Sequence, residues 1–146
     1  MDFVNLIGRR LKDDDVIEVL ERYDLDVRYD FDRLHENAAD VYWAGGKDCG
    51  FQLRFNDRQV LDTIFLHMTA AEGYRPVERA AAGVPVFDSL EQAEAQANTR
   101  GVPCVQNRSV EGYPDLAWIK LDHGGYTVHY QFLKSQLNLI TVAAKR

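Results

Sequence analysis

Any chemistry in this chain must start from a small set of side chains. The stretch LDHGGYTVHYQF at 121–132 holds two of the four histidines, His123 and His129, around a glycine pair. Imidazoles this close together suit proton transfer or metal ligation. A metal site, however, needs a third ligand and outer hydrogen-bonding support. His35 and His67 stand at no spacing that supplies it. Cys49 and Cys104 form no CxxC pair and read as free thiols rather than a bridge. No GxSxG elbow, phosphate loop or GxGxxG is present. Asp13, Asp14 and Asp15 are consecutive, and three adjacent carboxylates cannot converge on one ion without a supporting loop. The expectation is a protein with no catalytic residues, no cofactor and no metal.

The elements that position these residues follow from periodicity. FVNLIGRRL reads as a short helix with Phe3, Leu6 and Ile7 on one side. Val16, Val19, Leu20 and Tyr23 then fall at i, i+3, i+4 and i+7, the apolar stripe of an amphipathic helix. One aspartate of the triplet is its N-cap, and the others favour the positive end of the helix dipole. Residues 24–39 are polar, with Leu25, Val27, Tyr29 and Phe31 alternating, and read as irregular or edge-strand chain. Three strand-like runs follow at 40–44, 50–55 and 59–68; in the middle one Phe51, Leu53 and Phe55 alternate with Gln52 and Arg54. Residues 69–87 are a connector. DSLEQAEAQANTRG (88–101) reads as a helix capped by Asp88 or Ser89 and stopped by Gly101, with Leu90, Ala93 and Ala97 as its thin apolar face. A loop, VPCVQNRSVEGYP, leads to strands at 115–121, 125–132 and 135–144.

Helix, three strands, connector, helix, three strands suggests an internal repeat. An offset of 75 lays Trp43 on Trp118, Gly50 on Gly125, Phe51 on Tyr126, Leu53 on Val128 and Phe55 on Tyr130. The expected architecture is one α+β domain over 1–146, with halves at about 1–73 and 74–146. It is a tandem αβββ duplication, a six-stranded antiparallel sheet with helices on one face. In that frame His123 takes the place of Asp48 in a turn and His129 that of Arg54 on a polar strand face. LDHGGYTVHYQF is thus a β-hairpin that contains histidines. Phe51, Leu53, Phe55, Tyr126, Val128 and Tyr130 should meet the helices, and Gln52, Arg54, Thr127, His129 and Gln131 should line the other face.

Charge narrows the partners. The net charge is −6; residues 1–73 carry 16 acidic and 9 basic side chains, residues 74–146 carry 7 and 8. Nucleic acid, which needs a cationic face, is disfavoured, whereas a basic protein would be steered toward the acidic half. No apolar run approaches the roughly 20 residues of a membrane helix, and the N-terminal stretch does not read as a signal peptide, so no membrane and a cytoplasmic location are expected. Tyr74 and Tyr113, beside glycine and proline in EGYRPV and EGYPDL, are candidate interface anchors.

The helix-plus-three-strand plan resembles the fold of β-lactamase inhibitory proteins, which present a concave sheet to a partner. LIGRRLKDDDVIEVLERYDL (6–25), IFLH (64–67), GYRPVERAAAGVPVFDSLEQAEAQ (73–96) and HGGYTVHYQF with LNLITV resemble small bacterial cytosolic proteins of the immunity and toxin-neighbourhood type. Here the loop before the second helix departs in its alanine run, Ala80 to Ala82. The resemblance implies a non-enzymatic protein-binding module, an immunity protein that neutralises a cognate, basic toxin. Asp13, Asp14, Asp15, Glu18 and Glu21 form the expected acidic contact surface, with Tyr42, Arg54 and His129 as further partner contacts. The alternative is a small-ligand-binding protein or enzyme using the open sheet face through His129, Arg54 and Tyr42. A homodimer through edge strands is compatible with either.

Overall fold

In the computed structural model, residues 2–30 and 40–145 are described. Phe31 and His35 lie outside them. A turn of 3-10 helix, Phe3–Leu6, precedes helix α1, Asp14–Arg22. Strands β1 (Val27–Asp30), β2 (Val41–Gly45), β3 (Phe51–Phe55) and β4 (Leu61–His67) follow. After the connector come helix α2 (Leu90–Arg100) and strands β5 (Cys104–Asn107), β6 (Leu116–Asp122), β7 (Tyr126–Leu133) and β8 (Gln136–Ala144).

The strands form one antiparallel sheet in the order β1-β2-β3-β4-β8-β7-β6-β5. Among the described residues this is eight strands, not six. The two extra ones are the edges. All four residues of β1 are exposed, and in β5 none is buried. Such strands need only one backbone partner and no dry face, so the hydrophobic pattern barely marks them. The second half runs through the sheet in the reverse order of the first, and the halves meet where β4 pairs with β8. The hairpins are not superposable residue for residue. Trp43 pairs with Arg54 but Trp118 pairs with Gln131, so an offset of 75 that matches the tryptophans misses the partner strand by two residues.

Both helices lie on one face. Phe3, Leu6, Val16 and Val19 from the N-terminal segment, and Leu90, Ala93 and Ala97 from α2, join Leu53, Phe55, Ile64, Leu66, Val128, Tyr130, Ile140 and Val142 in a single core. Phe51 is buried with them and Tyr126 packs half-buried against them, so the strand faces expected from alternation hold. At α2 the cap is Ser89, whose Oγ accepts from the Gln92 backbone amide at 3.1 Å, while the Gln92 side-chain Oε1 accepts from the Asp88 backbone amide at 2.7 Å. This reciprocal pair ends the helix cleanly, and Gly101 at φ 66° closes the other end. At α1 the N-cap position is Asp13, but its carboxylate accepts from the Arg10 amide at 2.7 Å and not from the helix. The connector seals the core through buried Val77, Ala82 and Phe87.

Candidate functional site

The helix-free face of the sheet is where sequence-predicted residues gather. Strand residues alternate between faces, so the registers fix which side chains share it. One row runs Trp43, Arg54, Thr63, Ala143, Thr127 and Asp122 across the strands. The next holds Gln52, Phe65, Thr141, His129 and Lys120, and the next His67, Leu139, Gln131 and Trp118. Arg54, His129, Gln52, Thr127 and Gln131 are therefore where alternation placed them.

These side chains are organised in pairs. Arg54 grips Asp62 through Nη1 at 2.9 and 3.1 Å, and both are half-buried. Trp43 stacks on Phe65 with centroids 6.0 Å apart, and Trp118 stacks on His129 at 5.1 Å. His67 lies flat against Tyr74, centroids 3.5 Å apart, and its Nε2 meets Gln52 Oε1 at 3.0 Å. Burial lowers the pKa of both His67 and His129, and the Lys120 charge lowers that of His129 further. Both are thus biased to the neutral form and act as flat, weakly polar rings.

Not every expected contact is here. Tyr42 pairs with Phe55, whose side chain is fully buried, so Tyr42 lies on the helix side, packed against Tyr29 at 5.0 Å. It cannot join Arg54 and His129 around one ligand. Those two sit on β3 and β7, three strand spacings or about 14 Å apart. His123 lies in the exposed β6–β7 turn, stacked on Tyr126 at 5.0 Å, away from His129. Tyr74 is committed to His67, while Tyr113 is 65% exposed. The sequence expectation does not place Phe65 and His67 on this face, although in DTIFLH they alternate with the buried Ile64 and Leu66.

The acidic helix is on the far side of the molecule. Asp14, Glu18 and Glu21 are exposed and form one outward stripe of α1. Asp13 and Asp15 are half-buried and serve locally, Asp15 through an ion pair with Arg9 at 3.2 Å and a bond from the Val16 amide. Cys49 is half-buried with its thiol against the Phe51 and Gly46 carbonyls at 3.2 and 3.6 Å; Cys104 is half-buried on edge strand β5. Among the described residues no group of three or more His, Cys, Asp or Glu side chains is arranged to hold a metal ion, and no helix is long and apolar enough to cross a membrane.

Comparison of the chain with protein-family models, curated proteins and solved structures finds no match.

Proposed function

We propose that this chain is a non-enzymatic protein-binding module that anchors its partner on the open sheet face. Its most concrete form is a cytoplasmic immunity protein that neutralises a bacterial toxin. One observation carries the reading. A sheet face that meets only water is usually polar, yet this one holds both tryptophans, Phe65, Leu139 and two pKa-lowered histidines, all half-buried. Trp, Tyr and Arg dominate binding hot spots, and a rigid sheet presents them with little entropy left to lose. Arg54, already ordered by Asp62, supplies a preformed polar contact among them.

The reversed strand order and the helix that opens each half support a further reading, that the chain arose by tandem duplication, with four strands per unit rather than three. Duplication accounts for one tryptophan per half on the same face.

A second surface has its own support. Asp14, Glu18 and Glu21 are exposed, and among the described residues none of them is in an ion pair. A basic partner would find them unneutralised. Affinity capture from native lysate separates the two surfaces. The sheet reading expects a stoichiometric protein retained by a D14N/E18Q/E21Q variant and lost with W43A/W118A. The reverse pattern assigns the docking to α1. Equal capture by both variants, or no stoichiometric protein with the wild-type chain, removes the reading.

A further inference from the structure

A separate cavity of about 760 Å³ opens between the C-terminal end of α1, the tip of the β2–β3 hairpin and the start of the connector. That size lies in the usual range for small-ligand sites, roughly 300–1,000 Å³. Its apolar side comes from Phe3, Tyr23 and Phe51, where the exposed Tyr23 ring stands edge-on to Phe51 at 5.0 Å and Phe3 packs on Phe51 at 5.1 Å.

The charged side is unusual. Arg28, Lys47 and Arg75 line the cavity, and so do Asp24, Asp26, Asp48 and Glu78. Among the described residues no salt bridge joins any of these cations to any of these carboxylates. Exposed charges of both signs line one space without pairing to one another. The backbone around them is fixed. The Arg75 amide donates to the Lys47 carbonyl at 2.8 Å, which locks the connector to the hairpin tip. At Gly50, φ +83°, an added Cβ would sit 2.0 Å from the Arg75 carbonyl oxygen, so the two segments touch with no space for a side chain. Arg28 is held over the hairpin by a bond from Nη2 to the Gly45 carbonyl at 3.1 Å.

We infer that this cavity binds a small zwitterion of the amino-acid or short-peptide class. Its carboxylate meets Arg28, Lys47 or Arg75, its ammonium meets the aspartates, and its apolar body lies on Tyr23. Four carboxylates against three cations disfavour a purely anionic ligand such as phosphate, and a purely cationic one would leave the arginines unused. The inference is independent of docking on the sheet face.

The test uses the full chain, the tripeptide Ala-Phe-Ala, and its forms blocked by N-acetylation or C-amidation. Calorimetry gives affinity, and amide NMR shifts give location. The free tripeptide should move the Gly45, Gly46 and Lys47 amides, and blocking either end should weaken binding about tenfold, the loss of one charge-assisted hydrogen bond. Asp24→Asn, which tolerates the φ of 51° at that position, and Arg75→Gln should weaken the free peptide while leaving the thermal melt unchanged. Equal affinity for free and blocked peptides, shifts confined to other regions, or no binding at millimolar peptide would each overturn the inference.

Discussion

Tyr130→Phe removes one oxygen and tests how the connector is clamped to the sheet. Tyr130 is 1% exposed, stands edge-on to Phe87 at 5.1 Å, and donates its hydroxyl to the Pro85 carbonyl at 2.7 Å. Phenylalanine keeps the ring and its packing, so no cavity opens and only the hydrogen bond is lost. A net hydrogen bond contributes about 0.5–1.5 kcal/mol, and a carbonyl left buried and unpaired adds about 1–3. Pro85 itself is exposed, so water can reach its carbonyl and the second penalty is small. The expected loss is about 1 kcal/mol, or about 4 °C in Tm for a chain of this size. Urea unfolding should show a lower midpoint at unchanged slope. Burial also raises the Tyr130 pKa. The unfolded tyrosine ionises near its ordinary 10.0 and the folded one only above it. Stability should therefore fall as pH rises through 10, and the variant should lose that component. A variant as stable as the wild type, with the same alkaline profile, would refute this account of the clamp.

Three further outcomes follow from the backbone and the histidines. Lys134 and Ser135 form the two-residue β7–β8 turn at φ 51° and 65°, so K134N/S135G should raise stability by about 0.5–1 kcal/mol in urea unfolding. Gly50→Ala drives a methyl onto the Arg75 carbonyl at a positive φ; a loss of at least about 2 kcal/mol is expected, with faster amide exchange at Arg75 and Val77. His67 and His129 are both held below the ordinary 6.5 by burial. The unfolded chain then binds more protons than the folded one below that pH. The histidine contribution should be level above about pH 7 and stability should decline as the pH falls through 6.5 toward the depressed folded values, and His129→Gln should flatten the decline in pH-dependent melts.

The parts of this fold that bury side chains on one face could be read from residues alone. Phe51, Leu53 and Phe55 against Gln52 and Arg54 gave β3 and both its faces, and the spacing of Val16 and Val19 gave α1. The edge strands were harder. CVQN at 104–107 buries nothing and follows a proline, so its strand character comes from backbone pairing to β6, which leaves no side-chain pattern. Tyr42 and Trp43 are adjacent aromatics of equal strand propensity. Only pairing with Phe55 and Arg54 decides that the first faces the helices and the second the open side. The charged cavity draws Asp24, Lys47 and Arg75 from three separate segments, and no local spacing could have announced it.

The chain carries its own reporters on the open sheet face, where a protein partner is proposed to dock. It has 2 tryptophans, and Trp43 and Trp118 both lie on that face in different halves. Labelling this chain alone with fluorotryptophan gives one fluorine resonance for each. Titration with the protein recovered by affinity capture should shift both resonances and shield both from a soluble paramagnetic quencher. Saturating partner that leaves both resonances and their quenching unchanged would contradict docking on the sheet.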